Sequence, residues 1–409
     1  MAERITKLRA AKLPIGFRAA GISSGIKDSG AKDLGIVISD FPTVSAATFT
    51  TNRIKAAPVR LSKRHLSSGD IRAVIVNSGN ANACNGRQGL NDAKLMAQSA
   101  ASSLGLEPRQ VFVCSTGIIG YPLPVAKVQV ATPKIVEKLR ISGWGDFSRS
   151  IMTSDKVNKV CAVKTLIGGK EITITGTAKG SGMIAPNMAT MLAFFVTDAA
   201  ISEADLRETT KRVVNETFNC ISIDGDMSTN DTVLVLANGT AKNRRPRKRS
   251  KDLKHFSEAL NNVMLDLSKQ LVRDGEGASK FIRIEVEGAS SDLDAKKVAR
   301  AVAKSSLVKC SWNGSDPNWG RVIDAVGYSG ARVDENKVDI YFGSLAAAVN
   351  GIVAPTPIGK LKAQVAKKEF TLRIDLNIGK GYHRVFTSDL SEEYVAYNRL
   401  EYALKIQGR

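Results

Sequence analysis

Apolar and polar residues alternate from Phe281 to Glu287 (FIRIEVE) and from Glu171 to Thr175 (EITIT), the period of two that predicts half-buried strands. Arg72 to Val76 is more continuously apolar and predicts a strand buried on both faces. Elsewhere the period changes. Ala93, Met96, Ala97, Ala100 and Leu104 share one face of a helix, and Gly105 follows where a left-handed C-cap is needed. Two further helices open on capping patterns, Ser202 with Asp205 and Ser291 with Asp294. In each the hydroxyl can accept a free backbone N–H and the carboxylate sits against the positive helix end. Val111 to Cys114 predicts another strand. Helices and strands interleave along the whole chain, so the predicted class is α/β or mixed α+β.

Composition narrows the picture. With 409 residues and 43% hydrophobic content the chain can bury a large core, as two or three domains or as one elaborate unit. No repeat or Pro/Ser-rich linker marks a boundary, and the basic run near Arg247 is the main compositional break. The most apolar region, Met183 to Ala200, is interrupted by Pro186, Asn187 and Asp198, short of the roughly 18 unbroken apolar residues of a membrane span. The first residues lack the apolar stretch of a signal peptide, which predicts a cytoplasmic protein. The five cysteines are scattered without CxxC spacing, and are expected to be reduced and mostly buried. None of the three histidines lies near another or near a cysteine, so neither a metal site nor a Ser/His/Asp triad is expected.

The net charge of +20 raises the question of nucleic acid. Its densest block, Lys242 to Lys254 (KNRRPRKRSKDLK), follows Gly239, contains Pro246 and has no interleaved aromatics to stack bases. A solvated surface loop is the preferred reading, with a polyanion site as its rival.

The passage that carries chemistry is Lys179 to Asp198 (KGSGMIAPNMATMLAFFVTD). A Gly-rich turn leads through Pro186 and the small Ala189 to Thr190, at the head of an apolar, strand-like run. Were the bond between Ala189 and Thr190 cut, Thr190 would gain an α-amine. With a pKa of about 7.7–8.0, that amine suits a base acting on the residue's own hydroxyl. The same hydroxyl could make the cut by attacking the Ala189 carbonyl, shifting the acyl group from nitrogen to oxygen and leaving an ester for water. On physical chemistry alone, a turn followed by an ordinary buried strand is the preferred reading.

The passage resembles the processing segment of the ornithine acetyltransferase (glutamate N-acetyltransferase) family, in which KGSGMI, Pro and MATML recur in this order. Further stretches match that family in sequence order: GIKDSGAKDL (25–34), FTTNR (49–53), NSGNANAC (77–84), STGIIG (115–120), DGDMSTNDT (224–232), DGEGA (274–278) and DPNWGR (316–321). The resemblance implies a self-processing, N-terminal-nucleophile type of fold cut into an α chain, 1–189, and a β chain, 190–409. The two remain together, as an α2β2 heterotetramer. It implies Thr190 as nucleophile, Thr116 and Gly117 as oxyanion donors, and Thr153, Lys179, Thr190, Glu276 and Asn398 as substrate-binding residues. The implied reaction moves acetyl from N2-acetylornithine to glutamate without metal or bound cofactor, and leaves acetyl-CoA open as a second acetyl donor. The C-terminal tail departs from the family pattern: one extra residue precedes Tyr402, and Ala403 and Leu404 stand where a terminal hydroxyl is expected. An amidase or aminopeptidase on a similar self-processing fold is the rival enzyme. The runs 77–82 and 316–321, rich in Asn, Asp and Gly, are expected to build turns, and Cys84 and Cys114 to be structural.

Overall fold

A computed structural model of the chain describes residues 5–184 and 191–407. The chain forms two compact units, one of residues 1–219 and 226–271, the other of 220–225 and 272–409.

The first unit contains two sheets. One has the order β2 (Phe17–Ile22), β3 (Leu34–Ser39), β5 (Ala73–Asn80), β6 (Val111–Ile118). The other has the order β1 (Thr6–Lys7), β7 (Lys159–Ile167), β8 (Lys170–Lys179), β9 (Leu192–Thr197), β11 (Thr232–Ala237), β4 (Val44–Phe49). One face of the smaller sheet packs on α2 (Gly86–Leu104) and α3 (Val125–Glu137), through Ile36, Ile75, Val113, Met96 and Ile135. Its other face meets the larger sheet, with Val37, Val74 and Phe112 against Phe194, Val196 and Leu234, and with α4 (Trp144–Ser150) contributing Trp144 and Phe147. Because side chains alternate along a strand, Phe195 points the opposite way from Phe194 and meets Phe218, beyond the end of α5 (Glu203–Glu216). Helix α1 (Ala57–Ser67) runs beside β6.

The second unit is built on a seven-stranded sheet, in the order β10 (Ile221–Ser222), β17 (Gly381–Ser388), β12 (Phe281–Ala289), β16 (Glu369–Asp375), β13 (Asp339–Phe342), β14 (Leu345–Val349), β15 (Ile352–Val353). Its core joins Ile284, Leu372 and Ile340 to Val298 and Val302 of α7 (Asp292–Lys304), Trp312 of α8 (Ser306–Asn313) and Val322 of α9 (Trp319–Gly327). Helix α10 (Ile358–Val365) adds Leu361, and α11 (Glu392–Gln407) follows the last strand.

The periodic segments form as the pattern predicts: 281–287 lies in β12, 171–175 in β8, 72–76 largely in β5, and Gly105 caps α2 in the left-handed region at φ 66°. Ser202 and Ser291 each accept the backbone N–H three residues on, from Asp205 and Asp294. The class is mixed α+β. The basic run lies inside the first unit, and the chain crosses between units at 219/220, 225/226 and 271/272. One expectation needs correction: the loop ends at Ser250, because α6 (Lys251–Arg273) follows it and buries Phe256, Leu260, Met264 and Leu267 at intervals of about one turn. The basic side chains from Lys242 to Lys254 are exposed. Of the five cysteines most are buried, as expected, namely Cys114, Cys161 and Cys220, while Cys84 and Cys310 are exposed.

Candidate active site

Thr116 and Gly117 end β6, where it runs parallel to β5. Gly117 has φ +134°, and a Cβ there would lie 2.3 Å from the carbonyl carbon of Gly79, so only glycine lets the strands approach this closely. The strand end is braced from three directions. Ser115 donates its hydroxyl to Asn77 Oδ1 (2.6 Å), and Asn230 Nδ2 donates to the carbonyls of Ser115 (2.8 Å) and Ala81 (2.6 Å). Thus two of the Asn-rich motifs serve as scaffold behind the predicted oxyanion pair.

Lys179, the last residue of β8, is buried and extends its ammonium to both Thr116 Oγ1 (3.0 Å) and Thr153 Oγ1 (2.8 Å). An ammonium has no lone pair, so each hydroxyl must accept, which leaves the Thr116 O–H proton free to be directed at a developing negative charge. The three residues lie far apart in the sequence, and the fold gathers them into one cluster.

Asp155 holds the cluster in place. Its Oδ1 accepts from Lys159 Nζ and from the Gly180 N–H, both at 2.7 Å, while Oδ2 accepts the Thr153 N–H at 3.0 Å. Burial works to raise its pKa, but the charges of Lys179 and Lys159, with the hydrogen bonds from Lys159 and Gly180, outweigh it and hold the carboxyl at about 2. Lys27 closes another side, donating to the Met152 carbonyl at 2.7 Å. Burial lowers its pKa, opposed by Asp33 and Asp155 and reinforced by Lys179. Its loop is organised by the buried Asp33 carboxylate, which takes the N–H groups of Ile26 (2.7 Å) and Lys27 (3.0 Å).

Ala189 and Thr190 lie outside the described residues. The chain is described again from Met191, whose N–H donates to Asp231 Oδ1 at 2.9 Å, and Leu192 is the cross-strand partner of Lys179. Burial raises the Asp231 pKa well above its ordinary value, against the Met191 N–H and the charge of Lys179. Asp155, Lys159, Lys27 and Asp231 are functional candidates that the sequence pattern did not single out. Lys27 and Asp231 sit inside the motifs at 25–34 and 224–232, and an acid and a base four apart in SDKVNK (154–159) are the visible trace of the Asp155–Lys159 pair.

In the second unit, Asn398 Nδ2 donates to Glu276 Oε2 at 3.2 Å. Glu276 is buried rather than displayed on a surface turn. The loop that carries it is fixed by Gly277 (φ +63°), where a Cβ would lie 2.4 Å from the Tyr394 nitrogen, and by the Ser391 hydroxyl, which donates to the Gly277 carbonyl at 2.6 Å. The departing tail, 402–404, belongs to α11.

The histidines are engaged elsewhere: His65 Nδ1 with the Val111 carbonyl (2.8 Å) and His255 Nε2 with Thr165 Oγ1 (2.6 Å), while burial and nearby cations push His383 down to about 4. Burial also pushes the Cys114 thiol up, away from nucleophilic thiolate character. Among the described residues no group of His, Cys, Asp and Glu could hold a metal ion, and no helix is long and apolar enough to cross a membrane.

The ArgJ family model matches residues 18–402. The arginine biosynthesis bifunctional protein ArgJ of Geobacter sulfurreducens is 45% identical over 387 residues, 94% of this chain and 98% of that protein. The protein of the same name from Bacillus subtilis is 43% identical over 386 residues, 94% of each. A solved structure of the Bacillus halodurans arginine biosynthesis bifunctional protein ArgJ matches with a TM-score of 0.50 at 39% identity, over 51% of this chain and 99% of that one. The chain belongs to the ArgJ family.

Proposed function

We propose that this chain is the arginine-biosynthesis acetyltransferase that passes acetyl from N2-acetylornithine to glutamate through Thr190. The observation that carries the reading is the pairing of Lys179 with the hydroxyls of Thr116 and Thr153, directly across the sheet from the strand that follows Thr190.

In the proposed cycle the α-amine of Thr190 takes the proton from its own hydroxyl as Oγ1 attacks the acetyl carbon. The Thr116 O–H and the Gly117 N–H carry the resulting oxyanion. The C–N bond then breaks, the proton passes to the departing amine of ornithine, and acetyl remains on Thr190 as an ester. The amine of glutamate attacks that ester, and Oγ1 leaves with a proton, giving N-acetylglutamate. Glu276 and Asn398 belong to substrate binding, the carboxylate suited to an ammonium of ornithine. Acetyl-CoA enters as an alternative acetyl donor, in keeping with relatives named as bifunctional. No metal or bound cofactor takes part.

Release of the Thr190 amine requires cleavage after Ala189, by hydroxyl attack on the Ala189 carbonyl and hydrolysis of the ester. That cut would fall between β8 and β9, whose pairing from Lys179–Leu192 to Ile174–Thr197 would keep the two products together. The solved relative, matched almost whole by 51% of this chain, fits a protein that exists as two chains. Assembly as an α2β2 heterotetramer in the cytoplasm follows the same reading.

Ornithine release from acetylornithine, measured with and without glutamate, tests the reaction. A transferase releases ornithine continuously only with glutamate, and equal release in both would establish a hydrolase instead. Mass analysis of the denatured protein should find two fragments divided between Ala189 and Thr190, and one intact chain for Thr190→Ala.

A further inference from the structure

We propose that a cavity between β4 and α1 binds an organic ligand bearing two or more phosphates, of nucleoside-diphosphate size. The cavity measures about 830 Å³, near the upper end of the roughly 300–1,000 Å³ typical of small-molecule sites.

Its chemistry is one-sided. Lys55, Arg60, Lys63 and Arg64 line it, no carboxylate does, and among the described residues none of the four is paired with an acidic side chain. Arg60, Lys63 and Arg64 fall at i, i+3 and i+4 of α1, so they share one face of the helix. Four cations held this close repel one another, and a multiply charged anion relieves that repulsion. The two guanidinium groups can each grip a phosphate with parallel N–H bonds. Helix α1 adds to the field. Val59 in its first turn lines the cavity, and that turn has no acidic residue to oppose an anion.

Backbone groups face the same way. β4 is the edge strand of its sheet. Thr50 gives its N–H to the Asp231 carbonyl at 2.9 Å, so by strand alternation Ala47 and Phe49 turn theirs away from β11, to the open edge. The floor is apolar, from Phe49, Val59 and Leu90, with Phe49 stacked on Phe112. A bare phosphate has no use for that floor, whereas a base or an alkyl chain joined to the phosphates does. The bond from Thr50 to Asp231 also connects one end of the cavity to the residue that holds Met191.

Calorimetric titration of the full, purified protein with ADP, coenzyme A and inorganic pyrophosphate tests the site. ADP or coenzyme A should bind with an affinity that falls with salt, and pyrophosphate should bind more weakly. Tighter binding of coenzyme A than ADP would identify an acyl carrier as the source of the phosphates, and the converse a free nucleotide. Arg60→Glu combined with Arg64→Glu should weaken binding roughly tenfold or more. Phe49→Ala should weaken binding of ADP and coenzyme A but not of pyrophosphate. Transfer from acetylornithine to glutamate, assayed on the double variant, should be unchanged, which shows that it folds and keeps the outcome separate from that of the transferase reading. Absence of ADP and coenzyme A binding at millimolar concentration would overturn the proposal. So would pyrophosphate binding as tight as theirs, or undiminished binding by the double variant.

Discussion

Both units bury lysines, and they treat them in opposite ways. In the first unit Lys159 and Asp155 form an ion pair at 2.7 Å with neither side chain reaching solvent, and the same carboxylate fixes the backbone on either side of the Lys179 cluster. In the second unit, Lys280 donates to the carbonyls of Trp312 (2.5 Å) and Val365 (2.8 Å) and to Ser315 Oγ (2.8 Å). Lys309 donates to the Ser388 carbonyl and to Thr387 Oγ1 (3.3 Å). Neither has a carboxylate in direct contact among the described residues. Burial pushes Lys309 down to about 8, against the attraction of Asp389 and Asp224. The lysines of the second unit are staples between segments, and neutral oxygens suffice for that. In the first cluster the Asp155 carboxylate holds Lys159 and the backbone of Thr153 and Gly180 in one arrangement, beside the group that the proposed reaction would use.

The sharpest way to break this comparison is Asp155→Ala, which strands Lys159 and exposes Lys179 to its charge. Denaturant unfolding should show a loss of about 3–5 kcal/mol, and a loss under about 1 kcal/mol would mean that the pair is not the keystone described. Next in size, Thr116→Val should lower the rate of acetyl transfer by about 10²–10³ with little change in stability. Equal falls in both would make Thr116 structural.

The two units should also answer pH in different windows, with stability rising as pH rises in each. Asp155 has a folded pKa of about 2, below its unfolded value of 3.8. Its contribution, on the order of 2 kcal/mol, is therefore present above pH 4 and lost as pH falls toward 2. Lys309 has a folded pKa of about 8, below its unfolded 10.5. Below pH 8 both states hold the proton and the burial cost is fully present. Between pH 8 and 10.5 the unfolded chain holds more protons, so stability rises with pH. That rise should vanish in Lys309→Met, followed by urea unfolding across pH 7–10. Smallest of all, Arg247→Ala with Lys248→Ala in the exposed basic loop should change stability by no more than about 0.5 kcal/mol.

Local pattern was legible because its causes are local. The strand at 281–287, the helix ending at Gly105 and the caps at Ser202 and Ser291 each depend on side chains within a few positions of one another. The basic run showed where water is, not where one compact unit stops. Its last residues became helical because the apolar stripe of α6 begins there. Glu276 could not be read from DGEGA as buried, since its partner Asn398, and Ser391 and Tyr394 which fix the neighbouring Gly277, lie more than a hundred residues on.

The sequence by itself determined the period of each element, the glycines that turns require and the motifs that place the chain in its family, with Thr116, Lys179 and Thr190 among them. Only the tertiary structure decided that Lys179 meets Thr116 and Thr153, and that Asp155 fixes the backbone at Thr153 and Gly180. Hydrogen bonds and ion pairs act over about 3 Å, and only folding brings side chains 63 and 26 residues apart within that reach.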